Sequence, residues 1–226
     1  MAVADTPLAW SLVIPVKVLA RAKSRLTGLA GARRPELALA LAADTVAAAV
    51  GCPEVAAVIV VSDDPAAAAE LAGLGARVVP DEPDDGLNPA LVHGAAVASG
   101  LRPAAATAAL AADLPALRPD ELGRALRAAA AWPEAFVADA AGSGTTLYTA
   151  APGSRFRPRF GPGSRQRHRS AGVAELDLAG IPGLRRDVDT AADLSSASGL
   201  GLGPRTAAIA PQLLGSIPGG SAGRPG

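Results

Sequence analysis

A chain of 226 residues with 21 Lys plus Arg and 21 Asp plus Glu carries no formal net charge, so no whole-surface field draws it to nucleic acid or a membrane. Half of the residues are hydrophobic and 3% are aromatic, which suffices for one sizeable core and leaves few rings for a base-stacking platform. The single cysteine, Cys52 in a Gly-Cys-Pro turn, excludes an intramolecular disulfide and a cysteine-rich metal site and reads as a structural thiol.

Met1 to Pro7 lacks a basic region followed by a long apolar run, and no apolar span reaches membrane length, so a cytoplasmic enzyme is expected. Leu8 to Val18 reads as a first strand. Its end releases Lys17, Arg21, Lys23 and Arg25 within nine positions. In a nucleotide-binding α/β unit phosphates lie at such a strand end, where lysine acts as a mobile point charge and arginine through paired donors. The glycine spacing of a Walker loop or a dinucleotide fingerprint is missing, and a solvated basic loop is the plain alternative.

Pro35 to Val50 predicts a helix with proline in its first turn. Glu54 to Ser62 predicts a strand, Pro65 to Leu71 a helix and Gly75 to Val79 a short strand. This alternation favours one layered α/β domain. An acidic, turn-rich loop, Pro80 to Gly86, precedes a helix from Leu87 to about Leu101. Asn88 is placed to cap that helix ahead of Pro89, or to read a base edge or ribose. His93 has no Cys or His partner nearby and belongs to packing or surface.

Thr107 to Ala112 is apolar and runs into Asp113-Leu114-Pro115, which sets Asp113 at the carboxyl edge of a buried strand. Ligands of open α/β sheets bind at that edge, and a carboxylate there suits Mg²⁺ completed by substrate phosphates; capping of the next turn is the bland reading. Pro119 to Ala131 predicts a helix, and Ala135 to Ala138 and Thr145 to Thr149 short strands. Gly144-Thr145-Thr146 can present N–H groups and hydroxyls to a small anion.

Arg155 to Arg169 carries six arginines and His168, with a Phe160-Gly161-Pro162-Gly163-Ser164 turn and Ser164 beginning a helix. Asp187 and Asp189 share a side if extended and can complete a metal site with Asp113. Thr190 and Asp193 pair as a helix cap, which keeps Asp193 structural. From Gly199 the chain is rich in Gly, Pro and Ser, with local packing open to Thr206 to Leu214. The organisation expected is one domain, 1–214, and a flexible tail, 215–226.

Taken in order, Ile14-Pro15-Val16-Lys17 with Ala22-Lys23-Ser24-Arg25-Leu26, Leu87-Asn88-Pro89-Ala90-Leu91, Ala112-Asp113-Leu114-Pro115, Gly144-Thr145-Thr146, Phe160 to Ser164 with His168, and Asp187-Val188-Asp189-Thr190 resemble the guanylyltransferases of coenzyme F420 biosynthesis. The resemblance spans the chain from near its start to about Leu194. It implies an α/β, Rossmann-like nucleotidyltransferase fold with a mostly parallel central sheet and flanking helices. The implied activity is transfer of GMP from GTP to the phosphate of a three-carbon acid, with release of pyrophosphate. The alanine- and arginine-rich composition looks actinobacterial, which favours phosphoenolpyruvate as acceptor over 2-phospho-L-lactate or 3-phospho-D-glycerate.

By the same resemblance Asp113 holds Mg²⁺ with help from Asp187 or Asp189, between which it does not choose. Lys17, Lys23 and Arg25 bind the triphosphate, Asn88 lies in the guanosine region, and Thr146, Gly161 and Ser164 hold the phosphoacid; His168 has no evident base role. Expected partners are GTP and the small phosphoacid, with no nucleic acid and no membrane, and a homodimer on symmetry statistics. A cytidylyltransferase or molybdopterin-type nucleotidyltransferase shares the sheet, but the basic first loop speaks against it. Outside enzymes, the arginine-rich segment could bind RNA, with strong salt dependence and no need for a divalent ion.

Overall fold

The computed structural model describes residues 8–20, 22–82 and 84–215. The leader reading at Met1 to Pro7, Arg21 of the basic loop and the tail from position 216 lie outside the described residues. In chain order the elements are β1 Trp10–Pro15, α1 Thr27–Ala30, α2 Arg34–Val50, β2 Val55–Val61, α3 Pro65–Gly73, β3 Arg77–Val79, α4 Leu87–Leu101, β4 Ala106–Leu110 and α5 Pro119–Ala129. There follow β5 Glu134–Ala138, β6 Thr145–Ala150, α6 Ser164–Ser170, β7 Ala174–Glu175, α7 Pro182–Arg185, α8 Ala191–Leu200 and α9 Pro204–Leu214.

The seven strands form one sheet in the order β3-β2-β1-β4-β6-β5-β7. Only β6 runs against its neighbours, so the sheet is mostly parallel. Central strands of such a sheet are covered on both faces and therefore read as apolar runs, as β1 and β2 do. Alternation sends Leu12 and Ile14 into the core beneath α2 and α5, and Val13 into the core beneath α4. A Cβ on Gly94 of α4 would lie 2.5 Å from Val13 Cγ1, so the helix approaches the sheet too closely for a side chain there.

A third apolar cluster joins Leu37 and Leu41 of α2 to Leu194 of α8 and to Ile209 and Leu213 of α9. The glycine- and proline-rich stretch after Gly199 is therefore packed helix through Leu214. Its anchor is Asp44 of α2, 4% exposed, which accepts the Arg205 N–H at 3.1 Å and the Thr206 N–H at 2.7 Å. A carboxylate at a helix amino end satisfies donors that the helix itself leaves open. Gly203 is confined by the same contact, since its Cβ would fall 2.3 Å from Asp44 Cγ.

Candidate active site

The basic loop and the acidic candidates meet at the carboxyl edge of β1 and β4, around a cleft of about 730 Å³. That volume is in the range of small-ligand pockets. Lys17, Lys23 and Arg25 reach it from the loop after β1, Asp113 from the loop after β4, and Asp187 and Asp189 from the segment before α8. Gly161 and Ser164 line the opposite side.

The basic loop is held by contacts that its own sequence does not advertise. Asp64, capping α3 through the Ala66 and Ala67 N–H groups, also accepts the Leu19 N–H at 2.9 Å. Burial opposes the charge of Asp64, but these three donors outweigh it and lower its pKa. Arg34 donates to the Ala22 and Ala20 carbonyls at 2.6 and 2.7 Å. Between these anchors Lys23 adopts a left-handed backbone, φ 54°, rare for a residue with a side chain. Its ammonium donates to Asp113 and, at 2.8 Å, to Asp189 Oδ1, while Arg25 Nη1 stands 4.0 Å from Asp189 Oδ2.

The two acidic segments are fixed to each other. The Leu114 N–H donates to Thr45 Oγ1 at 2.9 Å and the Val188 N–H to the Asp113 carbonyl at 3.1 Å. Glu121, 6% exposed, caps α7 through the Gly183 and Leu184 N–H groups and so sets the approach to Asp187. Thr190 and Asp193 form the capping box expected of them, which aims Asp189 into the cleft and leaves Asp193 out of it.

Charge crowding is uneven across the carboxylates. Burial, then the neighbouring Asp113, Asp139 and Asp189, push the Asp187 carboxyl up to about 7. Asp189 is also penalised by burial, but Lys23, Arg25 and Lys17 outweigh this and lower its pKa. Burial works against the Lys23 ammonium as well, and Asp113 with Asp189 overcomes it and raises the pKa.

Among the described residues no group of three His, Cys, Asp or Glu side chains is disposed to hold a metal ion unaided. The donor chemistry still fits Mg²⁺, which is ordinarily held by one or two carboxylates with phosphate oxygens and water completing the shell. Asp113 and Asp189 already share a cation, the Lys23 ammonium, and the charges acting on Asp187 are all negative.

On the opposite wall three expected groups have surroundings that the motifs did not name. Gly86, with φ 96°, stands at the N-cap of α4. Asn88, expected as the cap or in the guanosine region, does not cap the helix; it binds the backbone of Phe160, a residue of the cleft lining, twice: Oδ1 accepts its N–H at 2.8 Å and Nδ2 donates to its carbonyl at 3.1 Å. The Gly144 N–H is spent on Asp139 Oδ2 at 2.8 Å, with the Ser143 N–H on Oδ1, so this turn carries its own anion. Thr145 stands on the cleft wall; Thr146, named from the motif, is 1% exposed, and its Oγ1 has no hydrogen-bond partner among the described residues.

His168 is fully buried between Phe136 and Tyr148, each ring centroid 5.2 Å away. Its Nε2 accepts the Arg159 N–H at 3.0 Å, which puts the ring proton on Nδ1, 3.0 Å from Thr145 Oγ1. Burial, followed by the charges of Arg159 and Arg167, lowers its pKa to about 4, so the ring is neutral and structural. Several arginines of this segment are also tied up within it. Arg165 pairs with Glu175 at 2.8 Å, Arg169 approaches Glu175 at 3.6 Å, and Arg167 donates to the Arg159 carbonyl at 3.0 Å. Asp139, which also lines the cleft, was not expected from the sequence; its place before the Gly142 and Gly144 turn was the available signal.

The MobA-like NTP transferase domain family matches residues 39–169, which begins beyond the basic loop. A solved structure from Desulfovibrio desulfuricans G20 superposes with a TM-score of 0.67 at 16% identity, covering 91% of this chain and 96% of the other. A nucleotidyl transferase from Methanothermobacter gives 0.61 at 20% identity, covering 86% and 98%. These likenesses, with the strand order, establish the Rossmann-like nucleotidyltransferase fold. The phosphoenolpyruvate guanylyltransferase of Thermomonospora curvata is 63% identical over 97% of this chain and 96% of its own, and that of Streptomyces scabiei 61% identical over 93% and 99%. With identity of that order over nearly the whole length, the chain belongs to the phosphoenolpyruvate guanylyltransferase family.

Proposed function

We propose that this protein is a Mg²⁺-dependent guanylyltransferase that joins GMP from GTP to phosphoenolpyruvate, giving enolpyruvyl-diphospho-guanosine and pyrophosphate. The observation that carries the reading is the meeting of Lys17, Lys23 and Arg25 with Asp113, Asp187 and Asp189 in one cleft, opposite the Gly161 to Ser164 turn. The names of the 63% and 61% identical relatives support the choice of acceptor.

In this reading the three basic side chains bind and neutralise the triphosphate, and Thr146, Gly161 and Ser164 hold the phosphoacid, with Thr145 beside them on the cleft wall. An oxygen of the acceptor phosphate attacks the α-phosphorus of GTP; a new P–O bond forms as the bond to the β-phosphate bridge breaks, and pyrophosphate leaves with the electron pair. An ionised phosphate is already a nucleophile, so holding the reactants in line and offsetting their charge supplies most of the rate. No residue forms a covalent intermediate. Asp113 with Asp189 and Asp187 would hold Mg²⁺, which when bound withdraws charge from phosphate oxygens.

The test is pyrophosphate release from GTP and Mg²⁺ with phosphoenolpyruvate, 2-phospho-L-lactate or 3-phospho-D-glycerate in separate reactions, with mass spectrometry of the nucleotide product. A GMP adduct of phosphoenolpyruvate, abolished by chelator, is expected. Preference for another acceptor would replace the substrate, and folded protein giving no adduct with any of the three would overturn the guanylyltransferase reading.

A further inference from the structure

Lys23 is wanted in two places. The reaction proposed above sets its ammonium on the triphosphate and a divalent ion against Asp113 and Asp189. In the structure the ammonium itself lies between those carboxylates, donating to Asp113 and, at 2.8 Å, to Asp189 Oδ1. This is a built contact. The Lys23 side chain is only 14% exposed, its backbone is left-handed, and the loop on either side is fastened by Asp64 to the Leu19 N–H and by Arg34 to the Ala20 and Ala22 carbonyls.

An ammonium in that position shuts out a divalent ion in two ways. It occupies carboxylate oxygens that the ion needs, and it repels the ion at short range in a partly buried setting, where screening is weak. A nucleotide removes the obstacle because its phosphates give Lys23 another anion to bind. The flexible four-carbon stem lets the charge move while the fastened backbone stays where it is.

We infer that Lys23 is the resident cation of the site: in the free protein it neutralises Asp113 and Asp189 and excludes a free divalent ion, and it leaves them only for nucleotide phosphates. The ion is therefore taken up together with the nucleotide and not before it. This rests on reading Asp113 and Asp189 as the metal seat, and it adds the order of assembly. Linkage makes the effect reciprocal, since whatever the nucleotide does for the ion, the ion does for the nucleotide.

Mn²⁺ is the probe, because it shares the oxygen-ligand preference of Mg²⁺ and its free form is counted by electron paramagnetic resonance. The full chain and Lys23→Met are titrated with Mn²⁺ alone, then with a non-hydrolysable GTP analogue, correcting for ion held by the analogue in solution. Wild type is expected to bind Mn²⁺ about tenfold or more tightly when the analogue is present. Lys23→Met should bind Mn²⁺ alone about tenfold or more tightly than wild type does and gain less from the analogue. Lys23→Gln, which keeps a polar end, stands in if the methionine variant does not fold.

Equal Mn²⁺ affinity in wild type and a folded Lys23 variant overturns the inference. So does wild-type affinity indifferent to the analogue, or no Mn²⁺ binding by any folded form. The expected Mn²⁺ results without a GMP adduct in the acceptor assay would sink the guanylyltransferase reading and leave the role of Lys23 standing.

Discussion

The two walls of the cleft are held by opposite kinds of interaction. On the side of β1 and β4 the contacts are between full charges, Lys23 with Asp113 and Asp189, beside a half-buried Asp187 on which Asp113, Asp139 and Asp189 act. On the side of β5 and β6 the contacts behind the Gly161 to Ser164 turn are neutral: His168 accepts the Arg159 N–H, Asn88 binds both ends of the Phe160 backbone, and aromatic rings pack around the imidazole. A charged wall paired only with itself can exchange partners when a polyanion and a cation arrive. A satisfied neutral wall keeps its shape whether or not they do. Chemistry should therefore fail on changes to the first wall, and stability on changes to the second.

The largest expected effect is on Asp113→Asn. Removing this carboxylate should lower kcat/KM about a thousandfold, or ~4 kcal/mol of transition-state stabilisation, in line with the loss of a principal electrostatic group. The melting temperature should change little, since the ion pair lost with Lys23 is offset by relief of the like charge beside Asp187. Steady-state kinetics beside a thermal melt checks both halves, and wild-type turnover would break the distinction between the walls.

His168→Ala is the converse. It removes a fully buried ring and strands the Arg159 N–H, for an expected loss on the order of 3 kcal/mol by urea unfolding. The walls should also titrate in opposite senses. The folded-state pKa of His168 lies near 4, below its ordinary 6.5, so its contribution is complete above pH 6.5 and is lost as pH falls toward 4. Asp187 rises from 3.8 to about 7, so in the ligand-free protein its contribution is complete below pH 3.8 and is lost as pH climbs through 7. Asp187→Asn should make stability rise more steeply with pH between 4 and 6.5, and His168→Ala should flatten or reverse that rise. Melting temperatures across this window decide it, and parallel profiles for the two variants would rule it out.

These contrasts also explain what could be read from the chain alone. The longer helices and the central strands came out at or around their observed places, because burial on two faces, proline at helix starts and the Thr190 with Asp193 cap are local signals, whereas the short α1, β7 and α7 were not read at all. Lys23, Asp113 and Asp189 were legible for the same reason, as charges released at strand ends or beside a cap. Asp64, Arg34, Glu121 and Asp44 were not, because each secures a segment far away in sequence and no local pattern names its partner. Thr145 and Thr146 are neighbours on one strand, and alternation sets Thr145 on the cleft wall and Thr146 in a buried position, a difference that motif position does not carry. Asn88 looked like a cap because the residue that starts the helix, Gly86, has no side chain to advertise the role.

The smallest effect is the sharpest test of the neutral wall. Asn88 touches no part of the cleft directly, yet its amide holds Phe160, which lines the cleft and leads into the Gly161 to Ser164 turn. Asn88→Ala should cost about 1 to 2 kcal/mol of stability, the range for lost hydrogen bonds with one partner left behind. Because it loosens the turn proposed to hold the phosphoacid, the acceptor KM should rise several-fold while the KM for GTP and the preference for GTP over ATP stay put. A residue reading guanine would do the reverse, weakening GTP and relaxing base choice with the acceptor KM unmoved. The split between the two Michaelis constants therefore separates a side chain that shapes the wall from one that touches the nucleotide, which a loss of activity alone would not do.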